Sequence, residues 1–145
     1  MNVNSCMSTA VRLASPSESI REAARMMKEI DAGILPVGEN DRIIGMISDR
    51  DIAVRAVAEG MGPDTTVRDV MSREVLYCYD DEGLDDVARQ MRELQVRRMP
   101  VLNREKRLVG IISLGDLALT DGDGTGRASI VLEGVSQPGG MHNQG

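Results

Sequence analysis

Slid by 64 positions, the chain matches itself, and this internal repeat constrains the fold more than any other feature. Met7-Ser8 falls on Met71-Ser72, Val11 on Val75, Glu18 on Glu82, Ala24-Arg25 on Ala88-Arg89, Met27 on Met91 and Pro36-Val37 on Pro100-Val101. One residue inserted in the following loop extends the match, with Gly45 on Gly110, Ile47-Ser48 on Ile112-Ser113 and Asp51 on Asp116. About 16 of roughly 47 aligned pairs are identical. Two copies of this length point to a duplicated supersecondary unit; a solenoid needs three or more.

Each copy reads in the same way. Ile20, Ala23, Ala24, Met27 and Ile30 occupy one face of a helix, and Leu84, Val87, Ala88, Met91 and Leu94 repeat the spacing. Ser19 with Glu22 has the capping-box pattern, and Asp85-Asp86 place negative charge in the first turn of the second helix. Ile34-Leu35-Pro36-Val37 and Met99-Pro100-Val101 read as buried strands whose proline marks an edge or an end. Turn residues follow at 38–41 and 103–106, then second strands at 43–47 and 108–112, so each copy holds a β-hairpin. A helix is expected from about Asp49 to Glu59, and a shorter one near Leu114–Leu119. Short strands are expected near Val11–Leu13 and Val75–Tyr79, and a lead-in helix over 65–71. The unit is β-α-β-β-α, twice: an α/β (α+β) fold with repeat 1 over 4–60, a linker at 61–67, repeat 2 over 68–120 and a Gly-rich, partly disordered tail at 121–145.

Composition removes several function classes. A net charge of −6 argues against a nucleic-acid binder. No apolar run spans a bilayer and the first residues are not a secretory signal, so a cytoplasmic, non-membrane protein is expected. The one histidine, His142, excludes histidine triads and multi-histidine metal sites within one chain. Cys6 and Cys78 are expected as reduced, partly buried thiols, and no C-x-x-C motif is present. With no Trp or Phe, the methionines are expected to fill core gaps. Asp121-x-Asp123-x-Thr125-Gly126 with Glu133 resembles a calcium loop whose last ligand falls one place late, so no metal site is assigned. No nucleophile–base pair or phosphate loop with lysine is present, so no enzyme is expected.

The motif h-x-P-V followed by h-h-G-h-h-[ST]-x-x-D, at matched spacing in both copies, resembles the cystathionine-β-synthase (CBS) domain, whose tandem pair is the Bateman module. The resemblance covers about residues 4–120 and is strongest to stand-alone bacterial paired-CBS proteins of the hypoxic-response type, carried by Ser48-Asp49-Arg50-Asp51 and Val96-Arg97-Arg98-Met99-Pro100-Val101. It implies pseudo-two-fold symmetry and an inter-repeat cleft that takes an adenine nucleotide (AMP, ADP, ATP or a related adenosyl ligand) as a regulatory ligand, with no obligatory cofactor. By the same resemblance, Ser48 and Ser113 are phosphate-side positions, Asp51 and Asp116 hold the ribose, and Ile34-Leu35-Pro36 and Met99-Pro100 flank the base.

Arg97 and Arg98 are the phosphate partners the resemblance implies, set across the cleft from Ser48, Arg50 and Asp51. Repeat 1 has Gly33 and Ile34 in their place, and Leu114-Gly115 replace Asp49-Arg50, so unequal sites are expected. Tyr77 either stacks on the base or packs in the core. Ser-x-x-Asp opening a helix is also an ordinary capping pair, and the two roles are compatible. The alternative function is a constitutive homodimeric scaffold with empty clefts. Either way, Ile52, Ala53, Val54, Ala56, Val57, Leu117 and Leu119 leave apolar surface that a homodimer would bury.

Overall fold

A computed structural model describes residues 1–120; the calcium-like loop, the tail and His142 lie outside the described residues. The elements run α1 (Ile20–Ile30), β1 (Ile34–Glu39), β2 (Arg42–Ser48), α2 (Asp49–Asp51, continuing as a π-helical turn over Ile52–Val57), α3 (Val67–Val70), β3 (Cys78–Tyr79), α4 (Leu84–Leu94), β4 (Arg98–Leu102), β5 (Leu108–Ser113) and α5 (Leu114–Leu119). A 3-10 turn at Val3–Ser5 precedes them. The order is α-β-β-α in the first copy and β-α-β-β-α in the second, a mixed α+β architecture.

Contacts divide the described chain into two compact units: Arg12–Leu76, and Met1–Val11 together with residues 77–120. In the first, β1 and β2 form an antiparallel pair, extended by a parallel bridge from Ala14 to Val37 on one side and an antiparallel bridge from Ser72 to Met46 on the other. The expected strand at Val11–Leu13 is reduced to that single bridge, held by Ala14 N–H to Pro36 O and Gly38 N–H to Ala14 O, both at 3.0 Å. In the second unit, β3 lies parallel to β4, β4 antiparallel to β5, and Ser8 bridges β5 at Ile111. Each unit therefore borrows its last sheet position from the lead-in of the other repeat: Met71-Ser72 in one, Met7-Ser8 in the other.

This exchange explains a repeated glycine. A Cβ on Gly45 would lie 2.5 Å from Ser72 O and 2.9 Å from Met71 Sδ; one on Gly110 would lie 2.6 Å from Met7 Sδ and 2.8 Å from Ser8 O. Only glycine admits the lead-in backbone at that distance. The segment between the repeats is tied to its unit throughout: Arg21 N–H donates to Pro63 O, Ile20 to Thr65 O, Val67 to Glu18 O and Arg68 to Pro16 O.

Pro36 and Pro100 sit inside β1 and β4 and not at a strand end; β1 is an edge strand of its two-stranded sheet, as expected, whereas β4 is the central strand of its sheet. Met46 and Ile111, opposite them, turn their N–H and C=O outward to Ser72 and Ser8. The prolines therefore occupy positions where β2 and β5 ask for no donor. On the other side of β4, pairing with β3 begins only at Val101, past Pro100.

Each unit has its own aliphatic core. Ile20, Ala23, Met27, Leu35, Val37, Ile47, Ala56, Val67 and Val70 fill one; Val3, Leu84, Val87, Met91, Met99, Val101, Ile112 and Leu117 are buried in the other. Met27, Met46, Met71, Met91 and Met99 are all buried, as expected of a core without Phe or Trp. Both long helices end with a non-glycine residue in the left-handed conformation, Asp31 and Gln95.

Candidate functional site

The repeated Ser–Asp pair forms a complete capping box in both units. Asp51 N–H donates to Ser48 Oγ at 3.0 Å and Ser48 N–H to Asp51 Oδ2 at 2.9 Å; Asp116 N–H donates to Ser113 Oγ at 3.1 Å and Ser113 N–H to Asp116 Oδ2 at 2.9 Å. Two orphan donors are satisfied reciprocally at each helix start. Each box uses one carboxylate oxygen of its aspartate. Ser48 is buried and Asp51 half-buried. The expected box at Ser19 forms by half: Ser19 Oγ accepts from Glu22 N–H, and the Glu22 carboxylate turns to Arg25 at 2.8 Å.

The strand starts lie beside these boxes. Ile34 is the ladder partner of Ser48, and Arg98 that of Ser113. Asp49 N–H donates to Gly33 O at 2.9 Å and Leu114 N–H to Arg97 O at 2.8 Å. Ile34, Leu35 and Pro36 are buried in one unit, Met99 and Pro100 in the other, while Arg97 and Arg98 are half-buried. Arg97 Nε is buried without a hydrogen-bond partner. Arg50 is exposed at the first turn of α2, where its N–H is held by the Asp49 carboxylate at 2.7 Å.

Tyr77 is not a core residue. It is partly exposed, its ring meets Tyr79 edge-on at 5.5 Å, and its hydroxyl lies 3.4 Å from Lys106 Nζ. The Tyr79 and Lys106 hydrogen bonds and the Lys106 charge hold its pKa below the ordinary phenol value. Arg104 covers the Tyr79 ring at 4.0 Å and forms two hydrogen bonds to Asp81, at 2.7 and 2.8 Å.

Sequence reasoning left the repeated Glu18/Glu82 identity unexplained. Glu18 accepts Ser15 N–H and Glu82 accepts Tyr79 N–H, both at 2.7 Å, so this carboxylate closes the turn into the first helix of each repeat. Its equivalent position in both copies was the available signal.

The apolar leftovers separate in the structure. Leu117 and Ala56 are core residues and Ile52 packs against the core, whereas Ala53, Val54, Val57 and Leu119 are exposed, Leu119 at 87%. Among the described residues, no group of three or more His, Cys, Asp or Glu side chains converges on a possible metal position. None of their helices is long and apolar enough to cross a membrane.

The family model of the CBS domain matches twice, at residues 3–57 and 67–120. This chain is a tandem CBS-domain protein. It is 41% identical over 118 residues to the CBS domain-containing protein YhcV of Bacillus subtilis, covering 81% of this chain and 84% of that one. The solved structure of hypoxic response protein I, with two coordinated zinc ions, superposes with a TM-score of 0.72 at 34% identity, covering 82% of this CBS protein and 98% of that chain; the sequence relative hypoxic response protein 1 is from Mycobacterium tuberculosis. CBSX2, solved in complex with AMP, superposes at 0.70 with 26% identity, covering 82% and 94%. Two of these relatives, YhcV and hypoxic response protein 1, match over most of their own length.

Proposed function

We propose that this CBS pair is a stand-alone, non-catalytic cytoplasmic sensor that binds an adenine nucleotide through its duplicated half-sites. The observation that carries the reading is the duplicated half-site: a strand start paired with a serine, and a helix opened by a Ser–Asp box that leaves one carboxylate oxygen uncommitted. A carboxylate in that position accepts the two ribose hydroxyls, while Ser48 and Ser113 face the phosphate side. Ile34, Leu35, Pro36, Met99 and Pro100 supply apolar walls and backbone groups for the base, with Tyr77 beside them. CBSX2 with AMP supports the ligand class.

Arg97 and Arg98 are the phosphate partners of this reading, with Arg50, Ser48 and Asp51 completing the stronger site. Arg97 Nε, buried and unpaired, belongs to a guanidinium that a multivalent acceptor would satisfy. Gly33 and Ile34 offer nothing equivalent, so occupancy is unequal. The repeats are read as 4–60 and 68–120, joined at 61–67, and the exposed side of α2 as a homodimer face.

Calorimetric titration with AMP, ADP, ATP, NAD and S-adenosylmethionine tests the proposal. Binding by at least one adenine nucleotide, with a thermal shift that grows as RT ln(1 + [L]/Kd), is expected. No heat and no shift at millimolar nucleotide would leave the homodimeric scaffold as the function.

A further inference from the structure

The chain leaves the second unit at Val11 and returns to it at Tyr77. Between Met1 and Ser8 it forms a strap across that unit's sheet. At one end, Asn2 bridges Gly83, Val3 N–H donates to Glu82 O and Asn4 N–H to Asp80 O, both at 3.0 Å. At the other, Met7 covers Gly110 and Ser8 pairs with Ile111. Cys6 lies between these anchors. Gly110, Val101 and Cys78 stand in register across β5, β4 and β3; Met7 covers the Gly110 end of that row, and Cys6 is near enough for its charge to act on the Cys78 thiol. Cys78 is buried and Cys6 half-buried, and both are thiols.

We propose that Cys6 and Cys78 are a reversible dithiol–disulfide pair that clamps the strap to β3. The oxidant is a peroxide. Cys6 thiolate attacks one oxygen of hydrogen peroxide, the O–O bond breaks, and a sulfenic acid and hydroxide form, the hydroxide becoming water with the proton the thiol released on ionising. Cys78 sulfur then attacks the Cys6 sulfur; the S–S bond forms, the S–O bond breaks, and a second water leaves with the Cys78 proton. Two electrons pass from the thiols to the peroxide. Burial, with the charges of Glu82, Asp80 and Cys6, pushes the Cys78 thiol up to about 12. Cys6 is therefore the first to react, and closure accelerates toward alkaline pH. The closed ring contains all of Arg12–Leu76, so oxidation ties the exit and return of the chain together and restricts the unfolded ensemble.

The test oxidises the full chain with hydrogen peroxide at pH 7 and pH 9, alkylates under denaturing conditions and maps peptides by mass spectrometry. The expected product is a monomer lighter by two hydrogens, with a Cys6–Cys78 cross-linked peptide, faster formation at pH 9, a raised melting temperature and reversal by dithiothreitol. Cys6→Ser abolishes the cross-link. Cys78→Ala, which keeps a small apolar group in the core, also abolishes it and lets Cys6 proceed to sulfinic acid. Cys6–Cys6 linkage between chains, or sulfinic acid at Cys6 in the unsubstituted protein with Cys78 still alkylatable, overturns the proposal.

Discussion

The two units are the same scaffold with different side chains at the strand starts and on the helix faces. Both have a Ser–Asp box, a carboxylate-closed turn into the first helix, a proline inside the first hairpin strand and a glycine under a borrowed Met-Ser segment. They differ at the strand starts, in the second helix and in the strand before the first helix. Gly33-Ile34 stands in one and Arg97-Arg98 in the other; α2 continues through a π-helical turn with exposed Ala53, Val54 and Val57, while α5 is a short helix ending at exposed Leu119. Ala14 makes one bridge, whereas Cys78-Tyr79 makes a short strand backed by the Tyr77–Tyr79–Arg104–Asp81 cluster. The duplication kept the positions that close backbone hydrogen bonds and let the strand starts and the exposed helix faces diverge.

The largest test separates contiguous from borrowed structure. A fragment of residues 12–76 carries every hydrogen bond described for its unit and should unfold cooperatively in urea, whereas residues 67–120, lacking the strap, should show no cooperative transition. Cooperative folding of the second fragment would show that Met1–Val11 is dispensable.

Next come the glycines. Both substitutions drive a Cβ onto backbone oxygen, Gly45→Ala to 2.5 Å from Ser72 O and Gly110→Ala to 2.8 Å from Ser8 O, so Gly45→Ala should cost about 3 kcal/mol and Gly110→Ala, the looser approach, about 2 kcal/mol. Equal costs in equilibrium unfolding would remove this distinction between the units.

Alkaline pH should act through one unit. The folded pKa of Cys78 is raised to about 12. Between the ordinary thiol range and that value, the native state holds a proton the unfolded state has lost. Stability therefore falls as pH rises from about 9 toward 12, by up to about 1.4 kcal/mol per pH unit. Cys78→Ala should flatten that decline in melting curves under reducing conditions, and an unchanged slope would contradict it.

The smallest expected effects on stability belong to the boxes. Asp51→Ala and Asp116→Ala should each cost about 1 kcal/mol without ligand. If the sites are unequal as proposed, Asp51→Ala weakens nucleotide binding roughly tenfold to a hundredfold, an interaction of about 1.5–3 kcal/mol, and Asp116→Ala weakens it less. Arg98→Ala should affect ATP more than adenosine and lose its effect at high salt. Equal binding losses from both aspartates would make the sites equivalent.

Much of this was legible in the residues. Helical spacing placed α1 and α4, apolar runs broken by turn residues placed both hairpins, and Ser-x-x-Asp placed the boxes, because each is written within a few positions of chain. The strand before α1 was over-read: Val11 and Leu13 have strand character, but only Ala14 meets β1. Leu117 was read as surface because a short helix does not declare which face it buries.

The sequence by itself determined the repeat, its α-β-β-α content, the aliphatic core and the Ser–Asp positions, since side-chain identity and period carry that information. Tertiary structure alone decided which lead-in completes which sheet. Met7-Ser8 and Met71-Ser72 are identical dipeptides facing equivalent strands, and they pair through backbone N–H and C=O groups that every residue possesses. Nothing in their side chains names the partner. The choice is fixed by chain connectivity and by the close approach that Gly45 and Gly110 permit.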